Sequence, residues 1–170
     1  MLIYNVGQLM NANVGAKEKF SIDDDLDISK VIPGNGVIHV TGEVAMMRLP
    51  HEINVQVKRL NSEVVGTCNR CLKVFKIKLA VSHAEREFII DLPAEEIEPG
   101  EDIFYVDKRT REIDLTDMVS HELLLHFPLI PVCSESCKGL CDQCGVNLNE
   151  TTCSCKHITR VANSPFRFPH

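Results

Sequence analysis

The sequence predicts an α+β fold: a mainly antiparallel β-sheet, one principal helix and a small C-terminal zinc-binding knuckle. Three observations carry this expectation. Between residues 36 and 90, apolar side chains recur at every second position over long runs, as in strands with one buried and one wet face. From Asp114 onward the apolar spacing changes to that of a helix. After Pro131, six of the chain's eight cysteines fall between Cys133 and Cys155.

The strands come first. In GVIHVTGEVAMM, Ile38, Val40, Val44 and Met46 are apolar, whereas His39, Thr41 and Glu43 are polar. In HEINVQVKRL, Ile53, Val55 and Val57 alternate with Asn54, Gln56 and Lys58. In VFKIKLAV, Phe75, Ile77, Leu79 and Val81 alternate with Lys76, Lys78 and Ala80. The short gaps between these runs favour an antiparallel meander, with Lys76 and Lys78 projecting together from its wet face. DLPAEEIEPGED reads as an acidic loop punctuated by Pro93 and by Pro99-Gly100, and IFYV (103–106) as a short strand. DLTDMVSHELLLHF places apolar residues at 115, 118, 119, 123 and 125 with acids in its first turn. It reads as a helix around 114–127, capped by Asp114 and stopped before Pro128. The expected organisation is a β-rich core over 1–131, a cysteine-rich zinc-binding segment over 132–158 packed on it, and a tail over 159–170.

Composition narrows the function. The 170 residues are 44% hydrophobic, enough to bury a core, with no Trp and a formal charge of −6. That balance argues against a protein coated throughout in nucleic acid. Charge is nevertheless uneven. Residues 56–80 carry Lys58, Arg59, Arg70, Lys73, Lys76 and Lys78 against Glu63 alone, whereas residues 85–102 carry eight acids against Arg86. The basic stretch is either a solvated strand face or a surface that contacts phosphates, for which spaced positive side chains suffice. The first residues lack the basic start and continuous apolar core of a secretion signal, and no apolar run reaches the ~18 residues of a membrane span. The expected compartment is the cytoplasm, where thiols stay reduced and disulfides are disfavoured.

The cysteines then read as metal ligands. Two cysteines separated by two residues can bind one ion from a single turn, and a following glycine lets the backbone bring amides toward the sulfurs. CDQCG (Cys141, Cys144, Gly145) has this form, and CSC adds Cys153 and Cys155 after eight intervening residues. Those four make a self-contained thiolate site. Cys68, Cys71, Cys133 and Cys137 remain, two further close pairs that can form a second site across sixty-one intervening residues. Spacing alone also permits Cys68/Cys71 to join Cys141/Cys144. The expected cofactor is structural zinc, two ions when both sites form.

Catalytic patterns are lacking. HELLLH (His121 to His126) has one residue too many for H-E-x-x-H, and histidines five apart lie about 140° apart around a helix. The sequence contains no phosphate-cradling glycine loop and no convincing nucleophile triad or carboxylate pair. A thioredoxin-like role for Cys68/Cys71 is disfavoured, since that chemistry wants a helix after the first cysteine and here a strand follows.

Four stretches together resemble a known family: C-N-R-C-L after the strands, E-I-D-L opening the helix, E-L-L-L-x-x-P-x-x-P-V-C, and C-K-G-L-C-x-x-C-G-x-N-L-N…C-x-C. They are similar to the YceD-like proteins of large ribosomal RNA subunit accumulation, over nearly the whole chain. The resemblance implies a non-enzymatic role in 23S rRNA accumulation and large-subunit assembly. The implied partner is 23S rRNA, a large-subunit ribosomal protein, or both, with no small-molecule substrate and no membrane. The tail departs from the family pattern, ending in N-S-P-F-R-F-P-H where members often carry D-P-R and a further helix. The rival reading is a redox-sensing zinc switch or chaperone-like protein, with which C-x-C beside C-x-x-C is compatible.

Overall fold

A computed structural model describes residues 2–91 and 104–155. The acidic loop therefore lies almost wholly outside the described residues, as does the tail. The chain divides into two compact units. The first comprises Met1–Gly66 and Phe75–Leu129, and the second Thr67–Val74 and Ile130–His170.

Among the described residues, seven strands and two helices follow in order: β1 (Ile3–Asn5), α1 (Gly7–Asn11), β2 (Lys17–Asp27), β3 (Val37–Arg48), β4 (Glu52–Thr67), β5 (Val74–Ile89), β6 (Phe104–Tyr105), β7 (Glu112–Asp114) and α2 (Thr116–Leu125). A five-stranded sheet runs β2-β3-β4-β5-β6, and β1 pairs with β7 in a separate two-stranded sheet. β2–β3 and β3–β4 are antiparallel. The connection between β4 and β5 is far too short for a parallel crossover. The sheet is thus mainly antiparallel, as expected, but it is not a pure meander: β6 joins β5 in parallel, Phe88 opposite Phe104.

The first unit's core follows from the alternation. Ile38, Val40, Val44 and Met46 are buried from β3, and Ile53, Val55 and Val57 from β4. They form one apolar cluster with Met118, Val119 and Leu123 of α2 and with Leu2, Val6 and Leu9. Fully burying each such side chain contributes on the order of 1.5–3 kcal/mol. α2 starts two residues later than the sequence suggests. Asp114 is the last residue of β7, and its Oδ1 accepts from Thr116 N–H at 2.8 Å, an Asx turn ahead of the helix.

In β4 and β5 the buried positions switch from odd to even, after Val57 to Leu60 and Val64, and after Val81 to Ala84 and Phe88. In β4 the cause is a bulge. Thr41 faces Asn61 and Glu43 faces Lys58, leaving Arg59 and Leu60 opposite Gly42 alone. Arg59 takes up the extra residue at φ 51°, a conformation unfavourable for an L side chain. The strands close tightly there: a Cβ on Gly42 would lie 3.2 Å from Leu60 Cα and 3.3 Å from the Lys58 carbonyl oxygen. Gly42→Ala is accordingly expected to destabilise the sheet by roughly 1–3 kcal/mol, measurable as a lower urea midpoint. An unchanged midpoint would mean that the strands part at little cost.

Candidate metal centre

The second unit is built around its cysteines. Residues 67–74 form the connection from β4 to β5, and there Cys68 N–H donates to the Lys73 carbonyl at 2.8 Å while Leu72 N–H donates to the Cys68 carbonyl at 2.9 Å. The same pair of bonds recurs at the second C-x-x-C. Cys141 N–H donates to the Val146 carbonyl at 2.8 Å, and Gly145 N–H to the Cys141 carbonyl at 2.9 Å. The two turns share one form, and each places the residue after its second cysteine in the left-handed region, Leu72 at φ 58° and Gly145 at φ 71°. Glycine adopts that conformation freely, whereas a leucine is strained there by roughly 1–2 kcal/mol. Leu72 is 63% exposed and so has little packing to lose. Leu72→Gly should therefore stabilise the metal-loaded protein by about 0.5–1 kcal/mol after glycine's added entropy cost. A lower melting temperature instead would contradict this reading of the turn.

Each turn meets a closing pair. The sulfurs of Cys68, Cys71, Cys133 and Cys137 form one group and those of Cys141, Cys144, Cys153 and Cys155 another, all within 4.8 Å of one another inside each group. The alternative left open by spacing, Cys68/Cys71 with Cys141/Cys144, is not the arrangement observed. Cys68 lies 3.8 Å from Cys137, Cys71 3.6 Å from Cys133, and Cys141 3.5 Å from Cys153, sulfur to sulfur. A disulfide would require about 2.05 Å, and none of the eight cysteines is in one. Four sulfurs held ~2.3 Å from a shared tetrahedral centre stand ~3.8 Å apart. The donor set and its spacing thus fit a tetrahedral metal ion of the kind that thiolates hold.

The electrostatics ask for a cation. Burial raises the Cys68 thiol, but the amides of Cys133, Cys71 and Arg70 outweigh it and bring it down to about 6. Arg70 N–H lies 3.4 Å from that sulfur. Cys137 is likewise raised by burial and pulled below its ordinary value by the Gly139 amide and by Asn149, whose Nδ2 donates to the sulfur at 3.4 Å. In the same group Cys133 is pushed up to about 12 by burial and by the adjoining sulfurs. The other group divides similarly. Amides of Cys144 and Gln143 hold Cys141 down to about 6, and hydrogen bonding to Cys144, with burial, pushes Cys155 up to about 12. Protein dipoles alone ionise only some of the sulfurs, because like charges this close oppose one another. A divalent cation removes that opposition and lets all four ionise.

The two groups share a frame. Leu140 N–H donates to the Arg70 carbonyl at 3.0 Å, and the Arg70 guanidinium donates to the carbonyls of Glu135 and Cys137 at 3.1 and 3.2 Å. Gly139, at φ 77°, sits where a Cβ would meet the Arg70 carbonyl oxygen at 3.0 Å. The groups differ in exposure: Cys68, Cys71 and Cys137 are buried, whereas Cys144 is exposed and Cys153 and Cys155 are intermediate.

The six basic positions are dispersed between the units. Lys58, Arg59, Lys76 and Lys78 are exposed on the first, and Arg70 and Lys73 on the second. Arg59 pairs with Glu43, and Lys76 with Glu63 at 2.6 Å. Arg70 serves the cysteine frame. His121 is exposed, and the His126 Nδ1 lies 2.9 Å from the Glu122 carbonyl; neither belongs to a metal-capable group among the described residues. Reading the sequence alone missed Asn149 as a donor to a cysteine sulfur and Lys19 of β2 as a neighbour of Lys58. The alternation of Phe20, Ile22 and Leu26 could have revealed β2, and hence Lys19. Among the described residues no helix is long and apolar enough to cross a membrane.

Comparison with known proteins follows the cysteines. A family model described as large ribosomal RNA subunit accumulation protein YceD matches residues 58–166, which include all eight. An uncharacterized protein of Mycobacterium tuberculosis is 32% identical over 73% of this chain and 51% of its own length. The Arabidopsis thaliana protein named large ribosomal RNA subunit accumulation protein YCED homolog 1, chloroplastic, is 30% identical over 52% of this chain and 35% of its own. A Zea mays protein of the same name is 40% identical over 34% of this chain and 20% of its own. The chain thus spans about half the length of the mycobacterial relative and less of the plant proteins. No solved structure matches.

Proposed function

The chain belongs to the YceD family, and on that premise we propose that it is a non-enzymatic cytoplasmic factor in 23S rRNA accumulation and large ribosomal subunit assembly. The observation that carries this reading is the family match across all eight cysteines. In this proposal Cys68, Cys71, Cys133 and Cys137 hold one Zn²⁺, and Cys141, Cys144, Cys153 and Cys155 hold another. Zinc supplies folding energy to a unit poor in apolar residues. Four sulfurs use every position of a tetrahedral ion, which leaves no place for an activated water. That supports a structural role for the metals and a role for the protein that is not catalytic.

The partner in this reading is rRNA, contacted through phosphates by the exposed cations of the basic stretch. Depleting the protein should lower 23S rRNA relative to 16S rRNA and diminish the large-subunit peak in sucrose gradients, most strongly in the cold. Unchanged rRNA levels and profiles at both temperatures would overturn the proposal. The exposure of Cys144 favours a second reading, in which oxidant reaches that site and releases its metal. A gain of protein-binding activity that accompanies zinc release at low peroxide would support the switch instead.

A further inference from the structure

The bulge in β4 does more than shift a register. Successive strand residues normally point to opposite faces, yet Lys58 and the left-handed Arg59 both stand beside Glu43. Arg59 makes an ion pair with Glu43, whose carboxyl is held below the usual range by that bond and by the nearby charges of Lys19 and Lys58. Lys19 reaches the same place from β2, where it lies opposite Ala45. Lys19, Glu43, Ala45, Lys58 and Arg59 line a cleft of about 450 Å³. Three cations surround one carboxylate there, with a net excess of positive charge.

Stability does not account for this arrangement. Arg59 and Glu43 are 72% and 55% exposed, and an ion pair so open to water contributes little. The backbone at Arg59 is nonetheless strained, and strain held without a stabilising return points to function. The same face of β2 turns acidic farther along, where Asp23 and Asp25 hold His39 between them at 3.1 Å each. An anion is therefore drawn to the Lys19 end and repelled from the other.

We propose that Lys19, Lys58 and Arg59 form a binding cleft for the phosphodiester backbone of RNA. The guanidinium can leave Glu43 for a phosphate, which it grips with two parallel hydrogen bonds, while the two ammonium groups act as point charges. The cleft reads backbone and not bases, since among the described residues the only aromatic ring on its wall is that of half-buried Phe20. This inference rests on the rRNA reading given above.

The test measures the salt dependence of binding between the full chain and a fluorescein-labelled hairpin transcribed from 23S rRNA. Lys19→Gln/Lys58→Gln/Arg59→Gln should reduce the slope of log affinity against log salt by about two. Lys76→Gln/Lys78→Gln should leave a steeper slope than the triple variant, and Glu43→Gln should tighten binding. Circular dichroism verifies that each variant is folded. If the wild type binds and the triple variant keeps its full slope, the cleft is overturned while the rRNA reading stands. If the wild type binds no rRNA and instead takes up a ribosomal protein, both fall together.

Discussion

Cys137→Ser is expected to remove one metal and to unfold residues 130–155 while the sheet persists. Its group joins two stretches of chain, 68–71 and 133–137, that lie far apart in sequence. The second unit has little else to hold them. Its only buried hydrophobic residues among those described are cysteines, and structural zinc contributes apparent free energies of about 10–16 kcal/mol. The apolar cluster lies wholly in the first unit, which can therefore outlast the loss. Native mass spectrometry should report one zinc for the variant against two for the wild type. Hydrogen exchange should show protection lost in 130–155 and kept in β3 and β4. Cys155→Ser should be milder, because its group spans only residues 141–155 and is already more exposed. Full protection of 130–155 in metal-free protein would contradict the scaffold role.

Arg86→Ala should give the second large loss, this time in the first unit. Glu122 of α2 is only 7% exposed, and its carboxylate meets the Arg86 guanidinium of β5 at 2.7 Å. Removing the arginine strands a buried charge. Breaking such a pair typically costs 3–5 kcal/mol, and the partial exposure of Arg86 (39%) places the expected cost near the low end, about 3 kcal/mol. Arg86→Met/Glu122→Leu should recover most of it, because two apolar side chains of similar length leave no charge unpaired. Chemical denaturation of both variants checks this. Equal stability of Arg86→Ala and the wild type would mean that the pair lies in effect in water.

The sequence revealed much of the sheet because a half-buried strand alternates by necessity. Ile38 to Met46 and Ile53 to Val57 alternate on the page as they do in the fold. What escaped notice has local causes. β2 carries Asp23, Asp24 and Asp25 at its centre, so its alternation of Phe20, Ile22 and Leu26 is easily taken for an acidic loop. β1 and β7 are three residues each and exist only because they pair across more than a hundred residues. The bulge hides because a one-residue insertion reverses the parity, and no single residue type marks it; Arg59 stands where glycine is more usual. The cysteines were legible as four close pairs, but which pairs meet depends on backbone paths that spacing does not encode. The likeness of the two turns was visible in CNRCL and CDQCG. Leu72 in the place of Gly145 disguised it.

The function proposed here is tested most directly by ultraviolet crosslinking of the protein in growing cells, followed by sequencing of the attached RNA and mapping of the crosslinked peptide. Fragments of 23S rRNA joined to peptides from β2 and β4 are expected, with the yield reduced in the Lys19→Gln/Lys58→Gln/Arg59→Gln variant. Recovery of a ribosomal protein with no RNA, or of RNA unrelated to the large subunit, would contradict it.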